Sequence, residues 1–251
     1  MGRFRCSEVP PYRRLAYSPA CYIINKDGIS KNEVRALEIR WLGHSCFLFV
    51  GQEGVSVLTD PFDQSVGYPT PKAETDVVTI SHHHFDHDAV QVLPGKPQVI
   101  EGPGRQTAAG LTFKGTATFH DAERGAKRGQ NTVFSFTLDG VSVVHLGDLG
   151  HLLTPEQREG IGTVDIVCVP VGGFYTIDAG QAYETVQQLN PKVILPMHYK
   201  PDEAVTLPIA GVDDFLQHFT QVKKAKTLEI SRASLPQTQE VVVLEFSAPG
   251  K

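Results

Sequence analysis

The sequence predicts an α/β protein in which two β-sheets pack face to face and helices cover the outside. Two observations carry this. Short runs rich in Val, Ile, Leu and Phe, bounded by glycine-containing turns, dominate from Leu37 to Asp148. Stretches with helical periodicity enter between strands only later, and that order suits sheets packed on each other with helices outside. With 251 residues, 41% of them hydrophobic, the chain can bury a substantial core.

Residues 1–35 read as an N-terminal extension, turn-rich and without clear periodicity, and 36–251 as the main domain. LEIRWLG, SCFLFV and VSVLTD are strand-like, and DVVTI (76–80) is a buried strand that runs directly into a histidine cluster. After a Pro/Gly-rich passage come LTFKGTATF, TVFSFTL and VSVVHLGD, the last two joined at Asp139-Gly140, a strong hairpin signal. DIVCVP (165–170) and KVILPMH (192–198) follow as strands. Between them Asp178 can cap a helix with Ala182, Val186 and Leu189 on one face. GVDDFLQHFTQVKK (211–224) predicts a further helix, its stripe formed by Val212, Phe215, Leu216, Phe219 and Val222. Residues 226–231 and 240–246 close the chain with two strands.

The formal net charge of -5 gives no global attraction to nucleic acid or anionic membrane. No run approaches the roughly 20 apolar residues of a membrane span, and the basic N-terminus lacks the apolar stretch of about 7–15 residues of a secretory signal. The cysteines, Cys6, Cys21, Cys46 and Cys168, form no C-x-x-C pair. They read as thiols in a reducing cytoplasm, with a Cys6–Cys21 bridge as the alternative.

Four of ten histidines fall between His82 and His87, in TISHHHFDHDAV. His82, His84, Asp86 and His87 spell H-x-H-x-D-H at the end of a buried strand. A lone histidine in such a place is more often a satisfied core residue. Several imidazoles so close would repel one another once protonated and would cost desolvation while buried; a cation removes the conflict by using their neutral lone pairs. Asp86 adds negative charge suited to a second cation.

This motif, in its strand-then-loop setting, resembles the metallo-β-lactamase superfamily over about residues 37–246, and the remaining elements occur in order. They are Asp60 in VLTDP, His120 in TATFHDAERG, Asp148 in VVHLGDLG and His198 in LPMHYK. The resemblance implies a four-layer αββα sandwich, with 36–251 as a hydrolase domain. It implies one metal held by His82, His84 and His120, another by Asp86, His87 and His198, and Asp148 bridging both. Three protein ligands per ion leave positions open for water, as catalytic zinc sites do. Asp60 then orients a ligand from behind. His44, in WLGHSCFLF, falls in a turn that this branch of the superfamily places near the site, with plain packing as the other reading. Zinc is the first expectation for the two divalent ions, manganese or iron the alternatives.

Strand alternation separates two neighbours in VSVVHLGD: if Asp148 meets the metals, His145 faces the other way and is structural. His83, the variable position of the motif, splays away, and His218 lies off its apolar stripe and faces solvent. Asp86 can take a proton from the attacking water, and His151, three residues past Asp148, can reach substrate as a catalytic group. Arg124, Lys127 and Arg128, in the loop after His120, are candidates to clamp a phosphate or carboxylate, against the reading of a solvated loop. Tyr175 and Lys200 are candidates to line the pocket.

The phrases WLGHS, LTDPF, HLGDLGH, PVGGFYTIDA and PMHY are similar to the branch containing ascorbate-phosphate lactonase. The implied activity is hydrolysis of an ester, lactone or phosphoester in a small anionic substrate, by water activated between the two ions. The alternatives are a metal-dependent nuclease on short RNA or single-stranded DNA, which the acidic balance disfavours, an iron oxidoreductase, and a non-enzymatic metal-binding protein. A homo-oligomer is left open.

Overall fold

The computed structural model describes residues 22–25, 28–31, 36–201, 205 and 207–247. The chain divides into two compact units, Met1–Arg35 and Ala36–Lys251. In the first, β1 (Tyr22–Asn25) and β2 (Gly28–Lys31) pair antiparallel, from Tyr22 opposite Lys31 to Asn25 opposite Gly28. The aperiodic reading of this segment therefore missed a short hairpin. Cys6 and Cys21 lie outside the described residues; Cys46 and Cys168 are free and buried.

In the second unit the strands are β3 (Leu37–Gly43), β4 (Cys46–Val50), β5 (Ser56–Thr59), β6 (Val77–Ile80), β7 (Gln98–Glu101), β8 (Gly104–Ala108), β9 (Leu111–Phe119), β10 (Gln130–Leu138) and β11 (Val141–His145). Then follow α1 (Pro155–Ile161), β12 (Ile166–Pro170), α2 (Ala179–Leu189), β13 (Val193–Met197), α3 (Asp213–Leu216), β14 (Val222–Ala225), β15 (Leu228–Ile230) and β16 (Glu240–Leu244). One sheet has the order β15-β3-β4-β5-β6-β7, the other β14-β16-β13-β12-β11-β10-β9-β8. Both mix parallel and antiparallel pairs.

The sheets bury their facing sides in one core. Phe49 of β4 meets Phe136 of β10 edge-on, ring centroids 5.5 Å apart, and Phe136 packs on Phe113 of β9 at 5.4 Å. Burial of such rings supplies the main drive for folding. The Asp139-Gly140 hairpin forms as its sequence predicts: Leu138 pairs with Val141, and both turn residues have positive φ, 52° and 75°, as a type I′ turn requires.

The helical covering is thinner than expected. α1 packs on β9 and β10, and α2 on β12 with Ala182 and Val186 buried, as its periodicity predicts. The helix expected over 211–224 is not one helix. Residues Asp213–Leu216 form a single turn, extended by tight i→i+3 bonds to Phe219, and Val222–Ala225 become β14. The stripe is real at Phe215, which is fully buried. Pairing of β14 with β16, from Val222 opposite Val241 to Ala225 opposite Leu244, outweighs helix propensity in the second half. Lys223 and Lys224 keep this edge strand solvated, which discourages pairing with another chain. The short strands β7 and β8 went unread within the Pro/Gly-rich passage. α1 also went unread, although Thr154 and Gln157 cap it reciprocally, with Pro155 at its first position. Among the described residues no helix is long and apolar enough to cross a membrane.

Strand direction decides where the histidines and aspartates at the strand ends gather. β5, β6 and β7 run parallel, as do β11, β12 and β13. β9 is antiparallel to β10, and β10 to β11, so β9 runs with β11; by the same logic β3 runs with β5. The residues after the C-terminal ends of β3, β5, β6, β9, β11 and β13 therefore meet at one rim of the sandwich.

Phe49→Ala is expected to cost about 3–5 kcal/mol, because it leaves a cavity between the sheets. Equilibrium denaturation with urea reads this; a loss below about 1 kcal/mol would mean the sheets do not depend on this contact.

Candidate metal centre

Six strand ends deliver His44, Asp60, the 82–87 cluster, His120, Asp148 and His198 to that rim. Several turns are held in conformations that side chains rarely adopt. His44, Asp60 and His198 have φ of 51°, 39° and 50°. The His44 carbonyl accepts from the Trp41 indole N–H at 2.9 Å and from the backbone N–H of His198 at 3.2 Å, which ties the end of β3 to the end of β13. At Gly147 φ is 55°, and a Cβ would strike Asn131 and Ser81. Asn131 fixes the β11 end: its side chain donates to the Leu146 carbonyl at 2.9 Å and accepts from the Asp148 N–H at 3.0 Å.

Three groups of possible ligand atoms result, each with its atoms within 4.8 Å of one another: His82, His84 and His120; His44, Asp86, His87 and His198; and His82, His87 and Asp148. The first two match the sets implied by the sequence, with His44 added. Asp148 lies between them: its Oδ2 is 3.2 Å from Nε2 of both His120 and His198, and its Oδ1 is 3.3 Å from His87 Nε2.

Behind these groups Asp60 is fully buried. It accepts from the Ser81 N–H at 2.8 Å and the Ser81 hydroxyl at 2.6 Å, and lies 2.9 Å from His87 Nδ1. Ser81 Oγ in turn lies 2.9 Å from His82 Nδ1. One carboxylate thus fixes the Nδ1 side of His87 directly and that of His82 through a hydroxyl, turning both Nε2 atoms to the rim. Sequence reading missed Ser81 and Asn131, whose polar side chains at buried strand ends were the available signal.

Burial pulls the His82 pKa down to about 3, aided by His87, and burial with His198 pulls His44 down to about 4. His84 is lowered as well, by burial and His120. Burial also works against charge on His87, but Asp148 and Asp86 outweigh it and raise that pKa well above its ordinary value. The carboxylates resist burial through neighbouring imidazoles: His198 and His87 hold Asp148 low, His145 and His87 hold Asp60 low, and His87 and His44 hold Asp86 low. With Asp86 ionised and His44 neutral, the 3.1 Å contact is His44 Nε2–H donating to Asp86 Oδ2.

The donor set fits divalent cations. His82 Nε2 is buried with no hydrogen-bond partner. His87 Nε2 and Asp148 Oδ1, also buried, face only each other at 3.3 Å without a well-formed hydrogen bond, an arrangement that costs free energy unless an ion meets them. The resemblance assigns seven ligands, and the structure gathers all seven: His82, His84, Asp86, His87, His120, Asp148 and His198.

The other histidines sort by geometry. His145 lies between the sheets, with Nε2 2.8 Å from the Ser45 carbonyl and Nδ1 accepting from the Gly147 N–H. His83 is exposed beside Asp88 and Glu101, and His218 is exposed and stacks on Tyr183. His151 stands outside the three groups. Its Nε2 accepts from the Phe119 N–H at 3.1 Å and its Nδ1 is 2.8 Å from the Leu152 carbonyl, so both ring nitrogens are engaged by backbone, an arrangement unsuited to the catalytic role expected of it.

Of the cationic candidates, Lys127 pairs with Glu123 at 2.6 Å and Arg124 is exposed. Arg128 and Tyr175 come together, the guanidinium 5.3 Å from the ring centroid. Lys200 lines a separate cavity with Trp41 and Tyr199.

A family profile for the β-lactamase superfamily domain matches residues 38–198. The chain belongs to the metallo-β-lactamase superfamily, among its metal-dependent hydrolases. Its relatives include a UPF0173 metal-dependent hydrolase of Thermoplasma acidophilum, 29% identical over 189 residues, covering 65% of this chain and 83% of that one. Another UPF0173 metal-dependent hydrolase, from Archaeoglobus fulgidus, is 26% identical over 242 residues, covering 83% and 96%. A crystal structure from Thermotoga maritima, assigned to the zinc-dependent hydrolases of the superfamily, shares 42% identity with a TM-score of 0.71, covering 83% of this chain and 98% of that one.

Asp60→Asn, which keeps the shape and removes the charge, is expected to weaken metal affinity about 10–100-fold with the fold intact. Competition against a chromophoric chelator measures it; unchanged affinity would show that Asp60 serves packing alone. At Gly172 a Cβ would meet the His198 carbonyl, so Gly172→Ala is expected to cost about 1–3 kcal/mol and to lower metal occupancy. Thermal denaturation with metal analysis reads both effects.

Proposed function

We propose that the protein is a dinuclear metal-dependent hydrolase that cleaves an ester, lactone or phosphoester bond in a small molecule. The observation that carries this reading is the position of Asp148, one oxygen 3.2 Å from histidines of both outer groups, beside buried ring nitrogens that lack partners. A carboxylate so placed suits two cations sharing one ligand. His82, His84 and His120 would hold one ion and Asp86, His87 and His198 the other. Divalent ions held there would lower the pKa of a bound water from 15.7 to about 7 and would polarise the oxygen of the scissile group.

The chain's own residues do the rest. Asp86, kept ionised and aimed by the His44 N–H, accepts the proton released as water attacks the carbonyl or phosphoryl centre. Its carboxyl then returns that proton to the departing oxygen as the bond breaks. Asp60 and Ser81 keep the His87 and His82 rings from turning during the cycle. We read the resemblance of phrases such as HLGDLGH and PMHY to the branch containing ascorbate-phosphate lactonase as favouring lactones as one substrate class. Zinc is the metal this His/Asp set suits first, with manganese and iron compatible.

The test is elemental analysis of the purified protein, followed by a panel of phosphorylated lactones, phosphodiesters and simple esters. Two ions per chain and turnover of at least one class are expected. Asp148→Ala is expected to lower kcat/KM by more than about 100-fold and to reduce metal content. A protein loaded with both ions that leaves every class intact would overturn the reading. Cleavage confined to oligonucleotides would replace it with a nuclease.

A further inference from the structure

Beside the first histidine group lies a cavity of about 490 Å³, whose lining includes His82, His84, His83, Glu101 and Arg128. That volume is of small-molecule size. Arg128 is the one arginine of that lining, and its guanidinium reaches from there to Phe174 and Tyr175, which do not line the cavity. Its Nη2 donates to the Phe174 carbonyl at 3.2 Å and its guanidinium lies over the Tyr175 ring, yet no carboxylate pairs with it among the described residues. Of the five N–H donors of a guanidinium, most therefore remain available to a ligand.

The loop that carries Arg128 is built rather than loose. Asp121 accepts four backbone N–H groups: Glu123 and Gly125 on Oδ1 at 2.8 and 2.9 Å, Lys127 and Arg128 on Oδ2 at 3.0 and 2.7 Å. These bonds outweigh the cost of burying the carboxylate and pull the Asp121 pKa down to about 2. The N–H of His120 donates to the Gly129 carbonyl at 3.1 Å, which closes the loop. The backbone of Arg128 is thereby held at a set position relative to His120, and the bond to the Phe174 carbonyl and the Tyr175 ring beneath restrict its side chain.

We infer that Arg128 is the anchor for a carboxylate on the substrate, held in this cavity while the scissile bond lies at the histidine groups. The inference rests on the hydrolase reading above and narrows it to small carboxylate-bearing esters or lactones. Glu101, on the same cavity, disfavours a second negative charge, so a monoanion is preferred over a phosphate monoester or an oligonucleotide. Arg124 and Lys127 take no part: neither lines the cavity, and Lys127 is paired with Glu123.

The experiment compares 4-nitrophenyl acetate with the mono-4-nitrophenyl ester of succinic acid on the metal-loaded enzyme, in wild type, Arg128→Met, Arg128→Lys and the control Lys114→Ala. Arg128→Met is expected to raise KM for the charged ester about 10–100-fold. It leaves kcat/KM for the neutral ester within about twofold, while Arg128→Lys recovers part of the loss and Lys114→Ala changes neither. Equal losses on both esters, or none on the charged one, would overturn the assignment. Should wild type cleave neither ester, the hydrolase reading suffers for this class, and Arg128 is judged by equilibrium binding of the monoanion monomethyl succinate. About tenfold weaker binding to Arg128→Met supports the anchor and equal binding refutes it. Tighter wild-type binding of methyl phosphate than of monomethyl succinate would refute the carboxylate preference.

Discussion

Buried negative charge at the rim of the sandwich is the constraint on which the rest depends. Asp60, Asp86 and Asp148 are all kept ionised in a buried place, while His44, His82 and His84 are kept neutral and His87 is drawn towards protonation. Carboxylates out of water need counter-charge. The imidazoles supply it only in part, since a ring protonated to do so, as His87 is drawn to be, no longer offers a lone pair to a ligand. Cations satisfy both kinds of group at once. The hydrogen bonds of Asn131, Ser81 and Trp41 keep the groups from escaping by rotating outward.

Topology makes such crowding attainable. Each contributing strand needs to deliver only one or a few side chains, because six of them end at the same rim. The buried strands, such as β6 with all four residues buried, act as spacers that stop where the polar groups begin. Residues from both sheets complete the second group, with Asp86 and His87 from one and His198 from the other, so the packing of the core sets the spacing of the ligands.

Much of this was legible in the text of the chain. H-x-H-x-D-H after an apolar run, followed by spaced His and Asp at strand ends, sufficed to name seven side chains that the structure brings together. His145 is set aside as expected, but not by alternation, since β11 ends at His145 and Gly147 turns at φ 55° before Asp148. It is the bonds to Ser45 and Gly147 that hold its ring away. The limits have physical causes. Residues 211–224 carry a helical stripe, but hydrogen bonds from a distant strand took the second half, and no local pattern encodes that. Ser81 and Asn131 are single polar residues whose importance lies in what they touch. Arg128 could not be told from Arg124 and Lys127 by composition, since the difference lies in a glutamate beside one and an aromatic shelf under another. His151 illustrates the converse: nearness in sequence to Asp148 suggested chemistry, whereas its ring serves the backbone.

The left-handed backbone at His44, Asp60 and His198 has a consequence for how this molecule can be improved. Such positions each cost on the order of 1–3 kcal/mol for a residue other than glycine, and glycine would relieve the backbone there. Those are the places where a side chain cannot be spared. Efforts to make the protein hardier are thus best spent far from this rim, whose local discomfort is inseparable from its use.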